Sequence, residues 1–258
     1  MKPTGVIWKS LVLVTVLAAG SLLCGVSAQA GDDADAAKQL IAKSVDAMGG
    51  LEKATAWKTR VDKGDLISIR PGWGRLHANC TQYIKKPDKM KIDQDFSAYD
   101  HPFFLIYYYN EGDVWVNVNL GIRQHPRYTE QLTKTMRRVD GLAYFLAKCD
   151  TFFLVNDIPD DSLFTGSSLS RVGVVDLGDT LLFDIDKDSM LPVRRIEEGG
   201  NTHVIMDDYR EVAGLKVPFH ITGYHGGVKA VEYTWKDISL DVPIDDAIFE
   251  EDRPKPSD

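Results

Sequence analysis

The acidic run Asp184-Ile185-Asp186-Lys187-Asp188-Ser189 comes closest to a chemical motif in this chain. Alternating carboxylates at this spacing are typical of a calcium-binding loop. Such a loop needs a glycine at its sixth position and a bidentate glutamate at its twelfth, where this sequence has Ser189 and Arg195. We therefore predict a hairpin turn with solvated acidic side chains and no metal site.

Other residue types that support catalysis are scattered along the chain. The six histidines form no His-Glu-x-x-His run, and Gly166, Ser167 and Ser168 do not fit the Gly-x-Ser-x-Gly pattern of a nucleophile elbow. The remaining enzyme hypothesis is a hydrolase that uses carboxylates such as Asp184 and Asp207. The sequence predicts no catalytic residue and no cofactor.

The N-terminal segment has the pattern of a secretory leader. Lys2 and Lys9 flank the start of an apolar run from Ser10 to Val26, and Ala28-Gln29-Ala30 fits a small-residue cleavage site. We predict that residues 1–30 are a cleaved signal peptide and that the protein is periplasmic. The alternative is an uncleaved membrane anchor. Removing the two lysines takes the formal charge from −8 to −10, which disfavours nucleic acid as a partner.

Beyond this leader, the chain contains only two cysteines, Cys80 and Cys149. In an oxidising compartment they could form a disulfide that closes a loop of about 70 residues, worth roughly 4 kcal/mol in the chain-entropy model. The alternative is two buried free thiols. Zinc ribbons and thioredoxin-like chemistry are disfavoured because no Cys-x-x-Cys occurs.

Two helices are predicted from apolar residues spaced three and four apart. The first extends from Asp32 to Met48, and Gly49 and Gly50 end it. The second extends from Thr129 to Cys149, with a kink or break expected at Gly141. An isolated helix of this length is marginal in water, so each apolar stripe should pack on a sheet.

The rest of the chain is dominated by alternating strands with Gly or Pro turns. We predict an α+β fold, a curved antiparallel half-barrel of about eleven strands with helices over its concave face. It forms one domain over residues 31–251, followed by a disordered tail over 252–258. The run Phe103–Tyr109 is apolar on both faces, so it should be covered on both. The expected strands are Arg60–Ile69, Arg75–Ile84, Lys89–Phe96, Phe103–Tyr109, Val114–Val118, Leu169–Asp176, Thr180–Asp186, Val193–Glu198, His203–Arg210, Val217–Tyr224 and Lys229–Ile238.

Four short motifs resemble those of the outer-membrane lipoprotein-sorting superfamily, the LolA/LolB-like periplasmic carriers. They are Ala47-Met48-Gly49-Gly50-Leu51, Lys86-Pro87-Asp88-Lys89-Met90, Leu191-Pro192-Val193-Arg194 and the segment from Asp208 to Phe219. The resemblance covers nearly all of the chain after the leader. It implies an incomplete barrel with a helical lid over a hydrophobic cavity that binds acyl chains of lipoproteins, or other lipids, without catalysis.

The leading hypothesis is therefore a monomeric periplasmic carrier for lipid or lipoprotein acyl chains, in outer-membrane lipoprotein sorting or a related process. A regulatory module of the same fold, contacting an envelope membrane protein, is the alternative. Strand alternation suggests which side chains line the cavity: Met90, Ile92, Phe104, Ile106, Met136, Leu142, Phe145, Phe152, Ile205, Phe219 and Trp235.

Overall fold

The computed structural model describes residues 30–70, 72, 74–97, 103–119, 121–124, 126–156 and 168–254. The expected signal peptide lies outside the described residues except for Ala30. No helix in the described part of the chain combines the length and the apolar character needed to cross a membrane.

The described strands form one open antiparallel sheet of thirteen strands, two more than expected. The sheet order is β6-β5-β4-β3-β2-β1-β13-β12-β11-β10-β9-β8-β7, so β6 and β7 are its two ends. These two end strands are the ones the sequence did not predict. The strands are β1 Thr59–Arg70, β2 Gly74–Lys85, β3 Lys89–Asp95, β4 Phe104–Asn110, β5 Asp113–Val118, β6 Gly121–Gln124, β7 Thr151–Val155, β8 Leu169–Asp176, β9 Asp179–Asp186, β10 Pro192–Glu197, β11 Thr202–Val212, β12 Leu215–His225 and β13 Val228–Leu240.

The helices lie on one face of this sheet, here called the inner face. The first expected helix is α1, Ala30–Ala47, and a short α2, Leu51–Ala56, follows it. The second expected helix is broken at Gly141, whose φ of 60° interrupts the helical path, into α3, Pro126–Arg137, and α4, Leu142–Lys148. The break confirms the expected effect of this glycine.

The inner face carries two separate cores. The first core joins α3 to side chains of β1–β5, β12 and β13, including Met90, Met136 and Trp235. The second core joins α1 and α4 to β7–β9, including Ile41 and Phe183. In the described part of the chain, β10 and β11 supply no fully buried residue to either core. The gap between the two cores on the inner face therefore lies at β10 and β11.

The opposite, outer face of β3–β5 is covered by the C-terminal segment. Tyr108 stacks on Trp115 at 5.0 Å, and the Trp115 indole donates to the Glu251 carbonyl at 3.1 Å. This explains why β4 is apolar on both faces. The expected disordered tail is corrected at its start, because the Asp252 carboxylate accepts a hydrogen bond from Tyr108 at 3.3 Å, and Arg253 pairs with Asp113. Residues 255–258 lie outside the described residues.

The motifs behind the family resemblance contact one another in the fold. The Lys216 amide donates to the Met48 carbonyl at 2.8 Å, so the end of α1 is joined to the β11–β12 turn. The Tyr209 hydroxyl donates to the Pro192 carbonyl at 2.6 Å, which ties β11 to β10. Lys86, in a third motif, contacts the residue that follows α2: its Nζ lies 3.7 Å from the centre of the Trp57 ring. These motifs therefore connect the helices to the sheet.

Candidate functional site

The sheet curls so that its inner face is concave. Burial raises the pKa of Tyr233 on β13, and the nearby Cys80 and Tyr107 raise it further. Tyr107 is on β4, four strand spacings from β13, which would separate the two strands by about 19 Å in a flat sheet. Both tyrosines nevertheless pack against the first core, as in a sheet that curls around it.

An apolar patch lies on this face at the edge of the first core, on β11, β12 and β13. Directly paired residues on neighbouring strands share a face. Met206 on β11 pairs with Ile221, which pairs with Tyr233, and Val204 shares a second row with Val231 across Gly223. All five side chains are half-buried, and Ile221, Val231 and Tyr233 pack against the first core. We call these residues the central patch: Val204, Met206, Ile221, Val231 and Tyr233.

The central patch continues the first core. Ile221, Val231 and Tyr233 pack against that core and still keep accessible surface. Val204 and Met206 on β11 are half-buried beside them. The central patch therefore offers apolar surface that the described residues cover only in part.

Charged side chains border the central patch. Arg195 on β10 pairs with Val204 in register and forms an ion pair with Glu197. On the other side, the Arg210 guanidinium lies 4.5 Å from the centre of the Phe219 ring. An apolar surface with a few polar groups at its edge is the usual composition of a small-molecule site.

Most of the expected cavity residues are packed inside the cores. Met90, Met136, Phe219 and Trp235 are buried in the first core, and Ile92 is half-buried against it. Three others are buried in the second core: Leu142, Phe145 and Phe152. These residues surround the concavity in two groups and do not form one lining.

Three expected cavity residues lie on the outer face. Phe104 and Ile106 alternate with the inward Leu105, and Ile106 pairs with Asp93 and Asn117 on the outer face. Ile205 pairs with Arg194 and Thr222, opposite to the central patch. Apolar residues occupy both faces of β4 and of the 203–206 stretch, so alternation alone could not tell which of them point to the inner face.

The sequence reasoning also missed all five residues of the central patch. In Val231-Glu232-Tyr233-Thr234-Trp235, apolar and polar residues alternate without exception. Trp235 was predicted from this run, and its period of two also places Tyr233 and Val231 on the inner face. This alternation could have identified Val231 and Tyr233. The residues around Met206 and Ile221 show no alternation as clear.

Cys80 and Cys149 are both free and buried, which is the second of the two alternatives left open by the sequence. Cys80 belongs to the first core and Cys149 to the second, which keeps the two sulfur atoms apart. Burial raises the pKa of Cys80 to about 12, with further contributions from Asp93 and Asp62. Such a thiol is a poor nucleophile at neutral pH.

The acidic run is a hairpin turn, as predicted, but one of its carboxylates is not solvated. The Asp186 side chain accepts hydrogen bonds from the backbone and hydroxyl of Ser189, both at 2.7 Å. Asp184 is fully buried on the outer face, between Arg171 at 2.6 Å and Arg194 at 2.6 Å. Within the described ranges, no group of three or more His, Cys, Asp or Glu side chains could hold a metal ion.

The second carboxylate of the hydrolase hypothesis, Asp207, contacts a histidine on the outer face. The His220 ring nitrogens lie 2.8 Å from Asp207 and 2.9 Å from Glu232. Burial by itself would lower the pKa of His220, but hydrogen bonds to the two carboxylates outweigh it and raise the pKa. Both ring nitrogens of His220 contact carboxylates, so the cluster links β11, β12 and β13.

This cluster predicts a pH-dependent contribution to stability. Because its folded-state pKa is raised, protonated His220 should stabilise the fold fully below about pH 6.5, its ordinary pKa. The contribution should be lost as pH rises through the folded-state pKa. In thermal unfolding, His220→Gln should therefore lower Tm more at pH 6 than at pH 9. This difference between the losses of Tm at pH 6 and pH 9 should vanish in an Asp207→Asn, Glu232→Gln background. A loss of Tm that grows with pH would contradict this account.

No protein-family model matches the chain, and no curated protein matches it. Several solved structures are similar to it. A DUF1329-family protein from Desulfovibrio piger is 12% identical with a TM-score of 0.56, covering 85% of this chain and 98% of its own. A LolA-superfamily protein from Nitrosomonas europaea is 12% identical with a TM-score of 0.53, covering 83% of this chain and 97% of its own.

A third similar structure is described as an outer-membrane lipoprotein-sorting protein domain, from Vibrio parahaemolyticus. It is 11% identical with a TM-score of 0.53 and covers 83% of this chain and 96% of its own. At such identities the likeness establishes the fold alone. This chain has a LolA-like fold, an open antiparallel sheet with helices, as its motifs led us to expect.

Proposed function

We propose that this protein is a non-catalytic carrier that shields an apolar ligand, a lipid or the acyl chains of a lipoprotein, against the central patch. The observation that carries the proposal is the half-buried apolar patch at the edge of the first core, next to the gap at β10 and β11. Each methylene group that leaves water contributes about 0.8 kcal/mol, so a hydrocarbon chain can be held without covalent steps. The similar lipoprotein-sorting domain and LolA-superfamily protein support this class of cargo.

The proposed setting is the periplasm, reached through the expected leader over residues 1–30. A monomer suffices, since one curled sheet supplies both cores and the central patch. The acidic chain suits a soluble carrier better than one held at an anionic membrane surface. Lipoprotein sorting at the outer membrane is one process that requires such a carrier.

A pair of adjacent substitutions on β11 tests the binding face. Val204 belongs to the central patch, whereas Ile205 is half-buried on the outer face of the same strand. We expect Val204→Asp to weaken binding of a fluorescent fatty acid to delipidated protein at least about tenfold, the loss of roughly two methylene contacts. Ile205→Asp should leave the affinity within about twofold, because the ligand does not reach that face.

Circular dichroism of both variants separates a binding defect from misfolding. Equal weakening in two folded variants would contradict the proposed face. If wild-type protein binds no fatty acid but a pull-down with it yields a protein partner in stoichiometric amount, the regulatory-module hypothesis replaces the carrier hypothesis.

A further inference from the structure

Arg195 lies in the gap between the two cores. On β10 it pairs in register with Phe183 of the second core and with Val204 of the central patch. Directly paired residues share a face, so the Arg195 side chain also lies on the inner face. This side chain is 34% exposed and is therefore accessible from solvent. An accessible cation thus separates two apolar surfaces of the concave face.

The guanidinium group of Arg195 is only partly satisfied. Among the described residues, its one ion-pair partner is Glu197, whose Oε1 lies 2.5 Å from Nε. This contact lacks the geometry of a hydrogen bond, and Nε is buried without an acceptor. No described residue accepts a hydrogen bond from the two terminal amino groups of Arg195 either. The edge formed by these amino groups is therefore free to bind an oxyanion.

Two other arginines show how this protein satisfies a guanidinium group. Arg171 donates to both oxygens of Asp184, from Nε at 2.6 Å and from Nη2 at 3.0 Å. Arg210, at the other border of the central patch, donates to both oxygens of Asp208, from Nε at 3.0 Å and from Nη2 at 2.6 Å. Arg195 makes no such bidentate pair with a described residue. Glu197 is therefore a weak competitor for an incoming oxyanion.

A row of paired residues that crosses the central patch ends at Arg195. Val231, Gly223, Val204 and Arg195 follow one another on β13, β12, β11 and β10. Neighbouring strands lie about 4.8 Å apart, so the cation is one strand spacing from the apolar surface at Val204. A hydrocarbon chain that covers this row brings its end group to the guanidinium. The chain also excludes water from the contact, which strengthens an ion pair there.

We infer that the ligand carries an oxyanion, a carboxylate or a phosphate, at one end of its hydrocarbon chain and that Arg195 binds this head group. The inference rests on the proposed carrier function and narrows its ligand class to anionic amphiphiles. The planar fork of an arginine matches two oxygens of either anion and offers nothing to an ammonium group. Arg195 is thus a specificity-determining residue, whereas the central patch supplies the part of the affinity that depends on chain length.

Three ten-carbon amphiphiles test this inference: decanoate, decyl phosphate and 1-decanol. They are compared as competitors of the neutral fluorescent probe N-phenyl-1-naphthylamine on delipidated protein. The ratio of the affinity for the anion to the affinity for 1-decanol should fall roughly tenfold from wild type to Arg195→Gln, the effect of losing charge-assisted hydrogen bonds. The affinity for 1-decanol should stay within about twofold, since the central patch is unchanged. The anion whose ratio falls further identifies the head group as carboxylate or phosphate.

Arg210→Gln is the matched control. It also removes a cation beside the central patch, but one whose fork is filled by Asp208, so the ratio should stay within about twofold of the wild-type value. Glu197→Gln should act in the opposite direction to Arg195→Gln. Without the competing carboxylate, the affinity for the anion should rise about twofold or more. A merely structural ion pair would not produce this gain.

Circular dichroism of each variant excludes misfolding as the cause of a change. An unchanged ratio in Arg195→Gln, or an equal fall in Arg210→Gln, would overturn the inference and leave the carrier function standing. Displacement of the probe from wild-type protein by 1-decanol and by neither anion would overturn it in the same way. If none of the three amphiphiles displaces the probe, the carrier function fails and the inference fails with it.

Discussion

Gly49→Ala is expected to lower the free energy of unfolding by about 3–5 kcal/mol, combining backbone strain with overpacking. Gly49 has a φ of 121°, and a Cβ there would lie 2.3 Å from the Gly214 carbonyl oxygen. That oxygen belongs to the β11–β12 turn, which receives the end of α1 through the hydrogen bond from Lys216 to Met48. The clash cannot be relieved without separating helix from sheet.

Gly50→Ala is the control for this prediction. Gly50 also has a positive φ, of 92°, but a Cβ there would meet nothing within 4 Å. Its replacement should cost only the conformational strain, about 1–3 kcal/mol. Urea unfolding of both variants measures the difference, and equal losses would show that the contact with Gly214 does not hold α1 in place.

Asp184→Ala should lower the free energy of unfolding by about 3–5 kcal/mol, because it removes one partner of a buried charge cluster. Asp184 is fully buried, and its two oxygens accept hydrogen bonds from Arg171 and Arg194. Without the carboxylate, the two buried guanidinium groups on β8 and β10, the strands on either side of β9, repel each other. The loss is one of stability, and it separates a structural Asp184 from the catalytic Asp184 of the hydrolase hypothesis.

Asp186→Ala, two residues further along β9, is the matched control. Asp186 contacts Ser189 in the exposed turn, so its replacement should cost about 1 kcal/mol, the value of one or two hydrogen bonds in water. A folded, fully stable Asp184→Ala protein would contradict the structural role of the charge cluster.

The sheet was largely predictable because its strands alternate and end at turn residues. The two unpredicted strands, Gly121–Gln124 and Thr151–Val155, are short end strands in which few residues establish a period. The break at Gly141 was predictable from helix propensity. The motifs did not reveal that they contact one another, because no local sequence pattern indicates that Gly49 packs on Gly214.

The ligand site was less predictable than the fold. Met90 and Met206 are both inward methionines, yet one is packed in a core and the other is half-buried in the central patch. The difference depends on which helices cover which strands, a tertiary property with no local pattern. On β4 the outward Tyr108 is covered by the C-terminal segment, so its apolar character misdirected the choice of Phe104 and Ile106.

Native mass spectrometry of the mature protein, purified from the organism that encodes it, tests the central claim most directly. The carrier account predicts a fraction of chains with an added mass that organic solvent removes and that an acyl lipid restores. A single unmodified mass, together with no uptake of acyl lipid by the delipidated chain, would contradict it.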